Sequence, residues 1–259
     1  EIYTLSLHDA LPISTSLARE CAQQGRGLAA FNVVLLDHAE AFIDAAERCG
    51  LPLVLQLSQN AVKYHGGRLA PLGKALLELA RASSARVAVH LDHAEDPGLC
   101  RAAIDLGFSS IMYDGSALPD ADNRASTRRI AEAAHAAGVS VEAELGEVGG
   151  KNGVHDPSAR TDPDEAAAFV ADTGVDMLAV AVGSSHAMAT RDAVLDDARI
   201  AAIHRAVAVP LVLHGSSGVP DDGMRSAIRA GMTKINVSTH LNVERLRSEE
   251  RRVGKECRS

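Results

Sequence analysis

Three apolar runs in this sequence each lead to a histidine: Val87-Ala88-Val89-His90-Leu91-Asp92-His93, Ala179-Val180-Ala181-Val182-Gly183-Ser184-Ser185-His186 and Pro210-Leu211-Val212-Leu213-His214-Gly215. Short, partly β-branched apolar runs suit buried strands, whereas Asp and His at a strand tip are costly to bury unless they bind a metal or a substrate. A catalytic zinc takes three protein ligands and leaves a fourth position open. His93, His186 and His214 would supply three imidazoles from three separate segments, with the Asp92 carboxylate beside the first. Singly, each histidine reads more readily as a hydrogen-bonded loop residue, and Asp92 reads equally well as a cap. The recurrence of the pattern is what favours a shared metal. His90 sits deeper in its run and reads as a core or supporting histidine.

A metal shared by three strand tips needs a fold that brings those tips together. Helical spacing over residues 17–24, 37–49, 72–81, 99–106, 123–137, 162–173, 199–206 and 223–230 alternates with strand-like segments. The strands are expected at 28–33, 53–58, 109–114, 139–145 and 233–238 and in the three histidine-ended runs. Gly50, Gly107 and Gly138 stop helices, and Asp162-Pro163-Asp164-Glu165 starts one with a cap, a first-turn proline and a glutamate. Eight strands separated by helices predict a (β/α)8 TIM barrel, whose usual length of roughly 250 residues matches a single domain. An open doubly wound sheet is the alternative. It lacks support because no G-x-G-x-x-G turn follows the first strand. In a barrel the site forms at the carboxyl ends of the strands, and the sequence places Asn32, Ser58, Asp92, His93, Asp114, Glu144, His186, His214, Asn236 and Ser238 there.

Of the 259 residues 46% are apolar and 23% charged, the composition of a soluble globular protein, and no stretch approaches the ~20 apolar residues of a membrane span. The net charge of -8 speaks against nucleic acid as a partner and leaves an anionic substrate in need of local positive charge, such as a metal ion. Cys21, Cys49, Cys100 and Cys257 are widely spaced and form no C-x-x-C pair, so they read as reduced thiols of a cytoplasmic protein. Residues 1–13 and 247–259 continue no neighbouring pattern and resemble translated adapter sequence. The domain is therefore expected over 14–246, as a barrel lacking its final helix.

Five motifs in fixed order, His90-Leu91-Asp92-His93, Val141-Glu142-Ala143-Glu144-Leu145-Gly146 with Gly149-Gly150 after it, Gly183-Ser184-Ser185-His186, Leu213-His214-Gly215-Ser216-Ser217-Gly218 and Lys234-Ile235-Asn236-Val237-Ser238-Thr239, resemble the class II, metal-dependent fructose-bisphosphate and tagatose-bisphosphate aldolases. The resemblance implies a lyase of carbohydrate metabolism, in the manner of glycolysis, that reversibly cleaves a ketose 1,6-bisphosphate to dihydroxyacetone phosphate and an aldehyde. It implies Zn2+ on His93, His186 and His214, with Asp114 and Glu144 at a second or displaced metal position that leaves open a further divalent or a monovalent cation. Asp92 would move the proton on the hydroxyl at the bond being cleaved, while zinc stabilises the enediolate. Asn32, Ser58, Ala187, Gly215, Ser216, Ser217, Asn236, Val237, Ser238 and Thr239 would contact the phosphorylated sugar, and a homo-oligomer is implied. Small residues after the last two strands suit a phosphate held by backbone N–H groups and hydroxyls.

Two positions depart from the family pattern. The loop after Gly149-Gly150 reads Lys151-Asn152-Gly153-Val154-His155-Asp156, without the usual acid in place, so that Asp156 or Glu147 is left to substitute. Ala187 stands where the family has a glycine. Three rival readings stay open on sequence: a Schiff-base aldolase using Lys234, for which packing or pairing is the favoured role; a metal-dependent hydrolase on a TIM barrel; and an inactive truncated barrel.

Overall fold

The computed structural model describes residues 11–145, 160–186, 188 and 190–241. Expectations on the chain ends to residue 10 and beyond 241, on the loop 146–159 with Glu147 and Asp156, and on Ala187 lie outside the described residues. Eight parallel strands close in chain order, the first pairing with the last: β1 (Leu28–Asn32), β2 (Leu53–Ser58), β3 (Val87–Ala94), β4 (Ser110–Tyr113), β5 (Ser140–Glu144), β6 (Met177–Ala179), β7 (Leu211–Leu213) and β8 (Met232–Val237). The helices are α1 (Ser14–Gln23) ahead of β1, α2 (Leu36–Cys49), α3 (Gln59–Tyr64) and α4 (Leu69–Ala82) ahead of β3, then α5 (Pro97–Leu106), α6 (Asp120–Ala136), α7 (Pro163–Thr173), α8 (Asp197–Ala206) and α9 (Asp221–Ala230). The fold is the (β/α)8 barrel, and closure disposes of the open sheet.

Local chemistry starts and stops these elements where the sequence indicated. Asp162 accepts from the backbone N–H groups of Asp164 and Glu165 at 2.9 and 3.2 Å, with Pro163 opening α7. Asp96 likewise caps α5 ahead of Pro97. Gly50, Gly107 and Gly174 end α2, α5 and α7 in the left-handed conformation.

Two elements differ from expectation. β6 covers Met177–Ala179, earlier and shorter than the apolar run 179–182. Val180 and Val182 stay fully buried, but the Ala181 backbone leaves the ladder, donating to Thr161 Oγ1 at 2.8 Å and accepting from Thr161 N–H at 2.9 Å. Burial there comes from packing, so apolar periodicity overruns the strand. The helix α3 was not expected: Ser58 caps it, accepting from Ala61 N–H at 3.1 Å.

Strand alternation divides the barrel into an outer and an inner face. Leu53, Leu55, Leu57, Val87, Val89 and Leu91 face outward into the core shared with the helices. Leu28, Ala30, Val54, Ala88, Met177, Ala179 and Val212 face inward and pack with Leu17, Ala18 and Cys21 of α1, which floors the barrel at the amino-terminal end of its strands. Above this apolar floor lies a layer of wholly buried Gln56, His90, Glu142 and Lys234, and above that the strand tips. The Ser14 hydroxyl meets that of Ser110 at 2.5 Å and so ties α1 to the polar layer, because Ser110 Oγ also lies 2.8 Å from His90 Nδ1. Leu11 packs against the outer core just ahead of α1.

Truncating the floor should be costly. Leu17 is 1% exposed, and Leu17→Ala should destabilise the barrel by about 2–5 kcal/mol in denaturant unfolding. A loss within experimental error would show that α1 does not seal the barrel.

Candidate metal centre

Asp92 and His93 serve the same space although consecutive strand residues ordinarily face opposite sides. The register of β3 against β4 shifts between Leu91 and Ala94, and His93 has a φ of 47°. This irregularity swings the imidazole in beside Asp92, at a strain of about 1–3 kcal/mol for a left-handed non-glycine residue. The surroundings hold it there. His93 Nδ1 donates to Asp114 Oδ2 at 2.8 Å, and Asp114 Oδ1 accepts from the N–H and hydroxyl of Ser116 at 3.2 and 2.6 Å.

Asp92 is braced on one side. Asn32 Nδ2 donates to Asp92 Oδ2 at 2.7 Å, and Gln56 Nε2 donates to Asn32 Oδ1 at 3.1 Å, which fixes which way the Asn32 amide points. The other oxygen, Asp92 Oδ1, is buried without a hydrogen-bond partner among the described residues. That atom is left for a hydroxyl of something bound.

His214 follows β7 and His186 lies on the loop after β6, seven residues beyond its end rather than at a strand tip. The loop is placed by contact with the His214 turn: Ser184 Oγ donates to the His214 carbonyl at 2.6 Å. Gly215, at φ 66°, lets the Ser185 backbone in so closely that a Cβ on residue 215 would stand 2.5 Å from the Ser185 carbonyl oxygen. The three rings meet nearly edge to face, with centroids 4.5 Å apart for His93 and His214, 5.1 Å for His93 and His186, and 5.7 Å for His186 and His214.

One ligand atom each from His93, Glu144, His186 and His214 lies within 4.8 Å of the others. His93 Nε2 and His214 Nδ1 are 2.9 Å apart, against about 3.4 Å for two nitrogens on one tetrahedral zinc with bonds of about 2.1 Å. Three imidazoles and a carboxylate are a donor set that suits such an ion. Glu144 belongs to this group, whereas Asp114 stands behind His93 as its hydrogen-bond acceptor.

The electrostatics also ask for a cation. Burial pulls the pKa of His93 down, but the charge of Asp92, the hydrogen bond to Asp114 and the charge of Glu144 outweigh it and hold the group up at about 9. His214 is pushed well below its ordinary value, by burial first and then by the positive charge of His93. In the metal-free protein a proton on His93 therefore stands where the carboxylates favour positive charge. His90 stays neutral, its pKa lowered by burial and by Lys234, in keeping with a core role.

Asp92, His93 and His186 open into a cavity of about 610 Å³. Of the residues assigned to sugar phosphate, Asn32, Ser58, Gly215, Ser217, Asn236, Ser238 and Thr239 line it. Ser216 and Val237 do not. The Ser216 hydroxyl donates to the Asn236 carbonyl, and strand alternation after Asn236 turns Val237 out against the outer core. Ser217 Oγ accepts from the N–H groups of Ser238 and His240 at 3.4 and 3.3 Å, joining the loops after β7 and β8. Sequence reading missed the β2 side of the cavity, where Gln59, Lys63 and Tyr64 of α3 and Glu95 line the wall. Gln59 fixes Glu95 by accepting its N–H at 3.0 Å and donating to its carboxylate at 3.3 Å. The signal was Ser58 as a cap, read there as a strand-end residue and sugar contact but not as a helix start.

A parallel barrel that gathers three imidazoles and a glutamate at the carboxyl ends of its strands is a barrel protein with a candidate metal site. Fructose-bisphosphate aldolase class-II is the family whose profile matches residues 14–256. The chain is 40% identical over 217 residues to a fructose-bisphosphate aldolase of Geobacillus stearothermophilus, a match covering 82% of this chain and 75% of that protein. It is 37% identical over 226 residues to a sulfofructosephosphate aldolase of Alkalicoccus urumqiensis, covering 85% and 78%. The crystal structure of the YdjI aldolase from Escherichia coli K12 superposes with a TM-score of 0.80 at 31% identity, covering 89% of this chain and 83% of that one. The chain belongs to the class-II fructose-bisphosphate aldolase family, which makes it a metal-dependent carbon–carbon lyase acting on phosphorylated sugars and sets the hydrolase reading aside. No helix among the described residues is long and apolar enough to cross a membrane.

Metal uptake should release a proton. With His93 held up at about 9 it is protonated at neutral pH, whereas a ligating imidazole must be neutral. Zinc binding near pH 7 should therefore release about one proton, and the release should vanish above about pH 9. Calorimetry in buffers of different ionisation enthalpy reads it directly. Binding without proton release near pH 7 would exclude His93 as the displaced acid.

Proposed function

We propose that this protein is a zinc-dependent aldolase that reversibly cleaves a ketose 1,6-bisphosphate, of fructose or tagatose type, to dihydroxyacetone phosphate and an aldehyde. His93, His186 and His214 hold the metal, with Glu144 as an adjoining ligand position. The observation that carries this reading is the uncommitted, buried Asp92 Oδ1 in a cavity lined also by His93 and His186, two members of the imidazole and glutamate donor group. When bound, the ion supplies Lewis-acid stabilisation of the charge that develops as the carbon–carbon bond breaks.

The protein's own groups do the rest. Asp92 Oδ1 takes the hydroxyl proton in cleavage and returns it in condensation, with Asn32 and Gln56 keeping the carboxylate aimed. Gly215, Ser217, Ser238 and Thr239 hold the phosphate of dihydroxyacetone phosphate through backbone N–H groups and hydroxyls at the loops after β7 and β8. Ala187 is assigned a backbone contact to the same group. The names of the relatives, a fructose-bisphosphate and a sulfofructosephosphate aldolase, extend the distal group to phosphate or sulfonate, and Lys63 in the cavity wall is a suitable partner for either. A Schiff base at Lys234 is disfavoured because its ammonium is wholly buried and donates to Glu142 at 2.8 Å. We further assign a single domain over residues 14–246, a homo-oligomer and a cytoplasmic setting.

Chelation should abolish cleavage, added zinc should restore it, and borohydride with substrate should trap no adduct on Lys234. Full activity after exhaustive chelation would sink the metal mechanism. Asp92→Asn should retain zinc while lowering turnover by roughly 10²–10⁴-fold. Near-normal turnover in this variant would move the proton-transfer role elsewhere.

A further inference from the structure

An ion pair lies in the barrel directly beneath the candidate metal centre. Lys234 Nζ donates to Glu142 Oε2 at 2.8 Å and to Asn236 Oδ1 at 2.9 Å, and both charged side chains are wholly buried. The far ends of this bridge converge on one atom: Glu142 Oε1 lies 2.9 Å and Asn236 Nδ2 3.1 Å from His214 Nε2. A ring nitrogen carries either a proton or a lone pair, so Nε2 donates to the carboxylate or accepts from the amide but does not do both. Asn236 cannot turn round, because Lys234 has only donors and holds its carbonyl oxygen. Lys234 occupies Glu142 Oε2, which leaves Oε1 to accept from Nε2 at the shorter of the two distances. His90 Nε2, 3.8 Å from Glu142 Oε2, is beyond hydrogen-bond reach and does not compete.

We propose that the buried Lys234–Glu142 pair is a positioning element that keeps the His214 proton on Nε2, so that Nδ1, 2.9 Å from His93 Nε2, presents its lone pair to the metal. The inference rests on His214 being a metal ligand, as proposed above. It explains why a barrel interior tolerates an ion pair two residues below the strand tips, where packed apolar side chains are often no less stable.

Glu142→Gln tests it with little change of shape. Lys234 should claim the new amide's oxygen, which turns its NH2, together with that of Asn236, toward His214 Nε2. The proton then moves to Nδ1, where the metal should bind. Zinc affinity, read by chelator competition, should fall about 10- to 100-fold, the usual loss on removing an outer partner of a ligating histidine. Nitrogen-15 shifts of the metal-free variant above about pH 9, where His93 is neutral and its Nε2 can accept, should report a protonated Nδ1. The double variant Lys234→Met with Glu142→Gln frees the amide to offer its oxygen to Nε2–H and should regain most of the lost affinity. Unchanged affinity and an unmoved proton in Glu142→Gln would overturn the proposal, as would a double variant as weak as the single one. If Glu142→Gln does not fold, the nitrogen-15 spectrum of the metal-free wild type above about pH 9, where His93 Nε2 no longer carries a proton toward His214 Nδ1, decides instead: a proton on His214 Nε2 supports the proposal and one on Nδ1 overturns it. The two levels fail differently. Wild-type protein that binds no zinc would overturn the metal reading, whereas zinc bound equally by wild type and Glu142→Gln would overturn only the role of the ion pair.

Discussion

Buried negative charge is the constraint around which the upper half of this barrel is arranged. Asp92, Asp114, Glu142 and Glu144 are each no more than 3% exposed, and an ion taken out of water costs several kcal/mol unless it is paired or hydrogen-bonded. The described structure answers each carboxylate separately. Lys234 meets Glu142, the Asn32 amide meets one oxygen of Asp92, His93 with Ser116 meets Asp114, and the His214 ring stands 3.8 Å from Glu144. What remains is a concentration of negative potential between Asp92 and Glu144, in which His93 holds a proton and where a divalent cation would bind more strongly still. The demand for metal thus arises from the acids as much as from the imidazoles that would ligate it.

Much of the fold was legible because strand tips and helix caps carry local signals. Asp162-Pro163 and the left-handed Gly50 and Gly107 act within a few residues of sequence, so they read correctly without knowledge of the fold. The closed barrel followed from counting such units. β6 was misplaced because Ala181 and Val182 are buried by packing after their backbone has left the ladder, and hydrophobicity reports burial rather than hydrogen bonding.

The candidate site was legible in its members but not in its geometry. Reading along the strands named Asp92, His93, Glu144, His186 and His214, yet nothing in sequence distinguishes Glu144 in the donor group from Asp114 behind His93. The irregularity at His93 is equally silent: alternation alone would have sent that ring outward, and only the φ of 47° turns it beside Asp92. Glu142 of β5 and Asn236 of β8 meet at His214 after β7, a relation that exists only once the barrel closes. Sequence favours packing or pairing for Lys234 but does not name its partner, Glu142, which is 92 residues away in the chain.

Closure also separates what holds the molecule together from what it does. The apolar floor around α1 and the outer core need no acid and no metal, and they supply rigid strands whose upper ends bear the strained and charged groups. His93 and His214 are 121 residues apart in the chain and 2.9 Å apart in space. No local preference could hold them there, so the precision of the site is inherited from the packing below it. His186 is the exception. It rides on a loop seated against the His214 turn through Gly215 and Ser184 rather than on a strand. Of the three imidazoles it is therefore the one whose position depends on loop contacts, and so the one best able to yield when a ligand enters the cavity.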